Sequence, residues 1–353
     1  MEIPEPVRAA DEALYALLRR VAFSRHLNPV NGTQVLRQFK RNQEPPCFEY
    51  EPLENADALK RELDSIMPGA DHPAGELVCK AIASVHRLIH ALDVRSADAF
   101  DAMNEAADWY PDSELLAGEY TAGSPSGPVD VSASELINHF RLAFQARGMS
   151  DWRITEDEVM SARVLVDSAK RLVRVNPKSM FRHNDLSRLV VHEIDVHARR
   201  ATNGEKQPLW CFVTGLPGSL ATEEGLAMVA EETSGTASPG VLARQAEVVW
   251  AIDQARSMGF RELYYSLCGR VGPGLAWGIC VRVKRGLSHP EEPGVYAKDS
   301  VYLAGRNKVR KWLDTGGDIQ SLYVGKVGIE DPVSDWLDQG WVQPQPVPAL
   351  WSS

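Results

Sequence analysis

Two imidazoles and a carboxylate stand within six residues in His192-Glu193-Ile194-Asp195-Val196-His197, inside an otherwise apolar run from Leu186 to Val196. Neutral imidazole is a common zinc ligand. A glutamate directly after the first ligand histidine is where zinc peptidases of the H-E-x-x-H type keep the base that activates a metal-bound water. The spacing here is H-E-x-x-x-H, one residue longer. Side chains four apart on an α-helix are offset by about 40°, but side chains five apart by roughly 140°, so a regular helix would turn the two imidazoles apart. A single i→i+5 turn winds more slowly and brings the second histidine back toward the first, and such turns concentrate at functional sites. The plain alternative is a core helix whose histidines hydrogen-bond to neighbours.

A second segment bears on that choice. Thr222-Glu223-Glu224-Gly225-Leu226-Ala227-Met228-Val229-Ala230-Glu231-Glu232 reads as a helix, preceded by turn chemistry in Leu216-Pro217-Gly218-Ser219. Thr222 is its expected cap, which places Glu223 and Glu224 in the first turn, where the helix dipole favours negative charge. An acidic helix start is ordinary in isolation. Combined with His192, Glu193 and His197, one of these glutamates completes a His₂Glu set with an open fourth position, the arrangement a catalytic zinc requires.

These motifs carry a resemblance to a known family. H-E-I-D-V-H followed by Ala198-Arg199-Arg200, and then T-E-E-G-L-A, resembles the H-E-I-G-T-H-x-x-R and Q-E-G-L-A pair of the DUF1704 (QEGLA-motif) family. That family includes the microtubule-associated tyrosine carboxypeptidases of animals and bacterial flavohemoglobin expression-modulating QEGLA motif proteins. Weaker similarities lie in Leu172 to Asn176, Arg285-Gly286-Leu287 and Tyr296 to Gly305, so that the likeness runs over residues 10 to 340. The resemblance implies a zincin-like metallopeptidase core with Zn2+ held by His192, His197 and Glu224, and Glu193 as catalytic base. Two positions depart from the pattern. Asp195 and Val196 replace the usual Gly and Thr, removing the residue that relaxes backbone most easily, and Glu223 replaces glutamine, which leaves a second carboxylate beside Glu224.

The chemistry implied is metal-assisted amide hydrolysis, most specifically removal of one C-terminal residue from a peptide or protein tail. A tyrosine hydroxyl suits the developing oxyanion; Tyr264, Tyr265 and Tyr302 follow the metal ligands, and Tyr302 is preferred for its place in the family-like Lys298 to Gly305 segment. A free terminal carboxylate calls for a cation, with Arg200, Arg282, Arg285 and Lys298 as candidates. His183 is a remoter candidate ligand, with Asn184 or Asp185 expected to cap the helix after it. Asp195 is placed to hold a ligand imidazole through its second nitrogen or to face solvent. The competing class is a regulatory or binding protein with a structural zinc, for which Glu193 would have no use.

Length and composition set the frame. At 353 residues, with 44% hydrophobic and 24% charged residues, the chain is an ordinary globular one large enough for two subdomains. A net charge of −10 argues against nucleic acid and anionic membrane as partners, both of which need a basic footprint. Cys47, Cys79, Cys211, Cys268 and Cys280 form no C-x-x-C pair and read as reduced core residues of a cytoplasmic protein. No signal peptide or membrane span is evident.

The elements that must position the site are mainly α with a small β component (α+β). A helical N-terminal region over 1–110 comprises Val7 to Ala22, Asp57 to Ile66, Glu76 to Leu92 and Ala97 to Tyr110. A Gly, Ser and Pro-rich linker over 111–129 leads to a catalytic domain over 130–342. That domain opens on a capped helix, Ser132 to Arg147. It has a strand-like Arg171 to Val175 whose Leu172 to Val175 offers a substrate-pairing edge, and further helices at Gln245 to Met258, Phe260 to Gly269 and Leu275 to Lys284. Residues 343–353, rich in proline, read as a loosely ordered tail.

Overall fold

Apolar residues spaced three and four apart become helices close to where the spacing puts them, and the described residues are mainly helical with five short strands in two small sheets. The computed structural model describes residues 2–351 apart from 70, 71, 122, 124–126, 159 and 161. Ser124, Pro125 and Ser126 of the expected linker, and Ser352 and Ser353 of the expected tail, therefore lie outside the described residues. The N-terminal helices are Glu5–Arg20, Ala56–Asp64, Pro73–Val94 and Ala97–Ala106, joined by Phe23–Leu27 and Gly32–Asn42, which the sequence reading passed over. Gly32–Asn42 buries only Val35 and Phe39, four apart in a polar run, so its stripe is too thin to stand out. Ser132 opens Ala133–Ala146 with a capping box. Its Oγ accepts from the Glu135 backbone N–H at 3.2 Å, and Glu135 Oε2 accepts from the Ser132 N–H at 2.8 Å.

The strands are β1 (Val129–Ser132), β2 (Arg153–Glu156), β3 (Val164–Asp167), β4 (Leu172–Val175) and β5 (Met180–Arg182). β1 pairs antiparallel with β5. β4 lies between β2, to which it is parallel, and β3, to which it is antiparallel. This overturns the expectation that Leu172 to Val175 offers an open edge for a substrate: both sides of that strand are already paired, and Val173 and Val175 are fully buried.

The hydrophobic clusters cross the sequence divisions. Val7, Ala10, Ala74 and Val78 of the N-terminal helices share one cluster with Val191, Val196, Phe212, Leu226 and Trp341. Val35, Phe39 and Phe48 share another with Val248, Ile252 and Phe260. The stretch expected as a linker begins with a short helix, Ser113–Ala117, capped by Asp112, and its Leu115 packs with Val249 and Leu303. The proline-rich tail is also packed. Within residues 343–353 Val347, Leu350 and Trp351 lie against the core, next to the buried Trp341 and Val342 that precede them. Asn203 Nδ2 donates to the Pro346 carbonyl at 2.9 Å and Gln207 Nε2 to the Gln343 carbonyl at 2.8 Å. Proline lacks a backbone donor but keeps its carbonyl, and at Pro346 the Asn203 amide uses that acceptor. Among the described residues no helix is long and apolar enough to cross a membrane.

Candidate metal centre

His192 and His197 sit on one continuous helical rod made of His183–Leu189, Val190–Ala198 and Arg199–Gly204, and its middle third is wound as a π-helix. Packing on both flanks holds it there. Val191 and Val196 are buried in one cluster, while Val190, Ile194, Ala198 and Ala201 are buried in another with the sheet and the Ala133–Ala146 helix. The slower winding brings the two imidazole rings to 4.8 Å between centroids. No residue of the π segment takes a positive φ, so the missing glycine costs nothing. Asp195 neither holds an imidazole nor faces solvent. It is buried, and both its oxygens are bound by Arg147, one at 2.8 Å.

The second segment is the helix Leu220–Thr233. It starts two residues before the expected cap, so Thr222 lies inside it, where its Oγ1 accepts from the Ile329 N–H at 3.0 Å. Glu223 and Glu224 are both buried and point different ways. Glu224 Oε2 is 3.7 Å from His192 Nε2 and 3.5 Å from His197 Nε2. Among the described residues, His192, His197 and Glu224 are the one set of three His, Cys, Asp or Glu side chains whose ligand atoms converge, all within 4.8 Å. His183 is not among them; it opens the rod, and Asp185 accepts from the Arg182 N–H at 3.1 Å in the first turn.

Glu224 Oε2 is buried with no hydrogen-bond partner among the described residues, although a buried carboxylate oxygen is ordinarily satisfied. Donors about 2.0–2.2 Å from a tetrahedral zinc are about 3.3–3.6 Å from one another, so the two separations from Glu224 suit a shared ion better than a direct hydrogen bond. The donor set, two nitrogens and one oxygen, also fits zinc.

Behind each imidazole stands a carboxylate. His192 Nδ1 is 2.8 Å from Glu231 Oε1, and His197 Nδ1 is 2.7 Å from Glu223 Oε1. Glu231 had been given no role, although it lies seven residues, two turns, beyond Glu224 and so on the same face of its helix. Electrostatics follow from this crowding. Burial pulls the His192 imidazole down, but Glu224 and Glu231 outweigh it and push it up to about 10; His197 is likewise raised, chiefly by Glu224 and Glu223 against burial. The imidazoles in turn hold Glu224 well below the usual carboxylate range despite its burial. For Glu223, Lys326 and Arg200 do the same.

The remaining candidates separate by environment. Arg200 is fully buried and saturated: it pairs with Glu223 and donates to the carbonyls of Leu322 at 2.7 Å, Gly325 at 3.1 Å and Val327. It is therefore a structural cation and not a substrate contact. Arg285 shares Asp299 through its Nη2 at 3.3 Å and lies over the Tyr296 ring, while its Nε is buried with no hydrogen-bond partner among the described residues. Arg282 is anchored by the same Asp299 at 2.8 and 3.0 Å, yet its side chain stays 48% exposed. Asp299 pushes it up from its ordinary value, and the Glu224 and Tyr302 groups act on it as well. Lys298 is half-buried, with no hydrogen bond or ion pair among the described residues.

Tyr302 is the second residue of the helix Val301–Asp314. Burial and then the Glu224 charge raise its phenol well above the ordinary value, with Glu193 adding to the same effect, so the hydroxyl keeps its proton. Tyr264 and Tyr265 are elsewhere: Tyr264 packs in an aromatic cluster with Phe39 and Trp277, and Tyr265 is exposed and bonded to Gln43. The glutamate helix and the tyrosine helix touch backbone to backbone. A Cβ on Gly225 would overlap the Gly305 carbonyl, and one on Gly305 would overlap the Ala221 carbonyl.

A family model described as microtubule-associated tyrosine carboxypeptidase matches residues 37–352. Microtubule-associated tyrosine carboxypeptidase 1 of Mus musculus is 33% identical over 193 residues, 51% of this chain and 39% of the mouse protein. Its Homo sapiens counterpart is 31% identical over 192 residues, 51% of this chain and 38% of the human protein. The matched stretch is thus less than half the length of either relative. Because the family match runs from within the helix Gly32–Asn42, through both segments that carry His192, His197 and Glu224, to the packed C-terminal stretch, the chain belongs to the microtubule-associated tyrosine carboxypeptidase family.

Proposed function

We propose that His192, His197 and Glu224 hold a zinc ion and that the site is that of a metallocarboxypeptidase with a zincin-like core, removing a C-terminal residue from a peptide or protein tail. The observation that carries this reading is Glu224 Oε2, buried without a donor and aimed at two imidazole Nε2 atoms. Zinc bound there supplies Lewis acidity, polarising a scissile carbonyl and lowering the pKa of a water to about 7. Glu193, adjacent to His192 and accepting no hydrogen bond among the described residues, takes the proton of the attacking water and passes it to the leaving amine. The Tyr302 hydroxyl donates to the oxyanion as it develops. Arg282, oriented by Asp299 and still partly exposed, receives the terminal carboxylate, with Lys298 as the second cation. Relatives named for tyrosine carboxypeptidase activity make a C-terminal tyrosine the first substrate to try.

A structural zinc is closed by four protein ligands; a set of three beside an unengaged glutamate supports catalysis over the regulatory, structural-zinc alternative. The test is Glu193→Gln, assayed by tyrosine release from a peptide ending in that residue and by zinc content. Zinc should stay bound while kcat falls by roughly 100- to 10,000-fold. A wild type fully loaded with zinc that releases no C-terminal residue from any peptide in a library would overturn the peptidase reading.

A further inference from the structure

Both imidazoles are held in the same way. One oxygen of a buried carboxylate is shared between the ring Nδ1 and a cationic side chain. Glu231 Oε1 lies 2.8 Å from His192 Nδ1 and 3.0 Å from Arg188 Nη1. Glu223 Oε1 lies 2.7 Å from His197 Nδ1 and 2.8 Å from Lys326 Nζ, while its Oε2 is taken by Arg200. The two arrangements differ in charge: one cation faces Glu231, and two face Glu223.

From this we infer that Glu231 and Glu223 are positioning residues that fix each ring with Nδ1–H toward the carboxylate and the Nε2 lone pair toward Glu224, and that Lys326 sets how strongly the Glu223 pair favours a bound divalent cation. The inference rests on the zinc reading of His192, His197 and Glu224. A carboxylate behind an imidazole orients the ring and raises its basicity as a ligand. A cation on the same oxygen withdraws part of that charge and repels a divalent ion through a medium of low dielectric. Lys326 is nine-tenths buried, so solvent screens its charge little. Removing it leaves Glu223 compensated by Arg200, whereas removing the carboxylate charge of Glu231 leaves Arg188 still engaged by Asp185 at 3.4 Å.

Opposite signs are therefore expected from two changes to one network. Zinc dissociation constants would be measured on the full chain, stripped with a chelator and titrated against a competing metal indicator, with circular dichroism of each metal-free variant as the folding control. Glu231→Gln and Glu223→Gln should bind zinc about 10- to 100-fold more weakly. Lys326→Met should bind about three- to tenfold more tightly, because a like charge has been taken from beside the ion; Lys326→Gln gives the same sign should the methionine variant fold poorly. If all these variants weaken binding alike, the network only braces the fold and the inference is wrong. Unchanged affinity in the glutamine variants overturns it too. A wild type that binds no zinc defeats the metal reading, and the inference falls with it.

Discussion

Metal-free, the His192 imidazole holds its proton up to about pH 10, so zinc loading at neutral pH has to expel protons from the site. Calorimetric titration at pH 7 in two buffers of different ionisation enthalpy should register a net release of at least about one proton per zinc. The sign for stability follows from the same shift. A histidine whose folded value is raised above its ordinary 6.5 contributes stability that is full below pH 6.5 and lost as pH climbs through about 10. With a chelator present, the melting temperature should fall across that window; with zinc bound, the imidazoles carry no proton and the fall should vanish. Arg282 offers a separate check. Arg282→Met should raise KM about tenfold or more for a peptide with a free terminal carboxylate while leaving an amidated peptide unaffected, since a charge-assisted hydrogen bond contributes about 1.5–3 kcal/mol. Equal effects on both peptides would remove Arg282 from the substrate contacts. At this scale the sequence led to three side chains that do converge, His192, His197 and Glu224, and led poorly where only surroundings decide. Arg200 and Arg282 are the same residue type. One is buried against three carbonyls and Glu223, and the other is half-exposed beside Tyr302.

At the scale of elements, the π segment was legible because two histidines five apart in an apolar run are incompatible with a shared face on an α-helix. The cap at Thr222 was not, because a Thr-Glu-Glu start looks the same whether it begins a helix or sits two residues inside it, and Ile329 from a distant loop claims that hydroxyl. The position of β4 was equally hidden: pairing on both edges depends on β2 and β3, and a four-residue valine-rich run cannot announce its neighbours. Gly225 matters here for closeness rather than φ. The crossing of Leu220–Thr233 with Val301–Asp314 is closed by Gly225 and Gly305. Gly225→Ala should force the two helices apart, costing about 1–3 kcal/mol in urea unfolding as an overpacked contact does. It should also lower kcat more than KM by displacing Tyr302 from Glu224. An unaltered kcat at full zinc occupancy would show that the crossing tolerates the methyl and that Tyr302 does not move with it.

Across the whole molecule, the division into an N-terminal region, a linker and a catalytic part reflects composition more than packing. Ile3, Val7 and Ala74 bury into the same cluster as the π segment and Trp341, and a sequence pass that scores local turn formers has no access to such distant partners. Deleting residues 341–351 should lower stability by more than about 3 kcal/mol, because it strips two tryptophans from the core and takes one of two acceptors from each of the amides of Asn203 and Gln207. Chemical denaturation of the truncated protein measures this, and a loss under about 1 kcal/mol would restore the view of a loose tail.

The carbonyls of Leu322, Gly325 and Val327 that enclose Arg200 set an order of events during synthesis. Arg200 braces Glu223, and Glu223 meets His197, so during translation the converging side chains of residues 192–224 emerge about a hundred residues before the carbonyls that clasp Arg200. The site can settle into its final geometry only once residue 327 has followed.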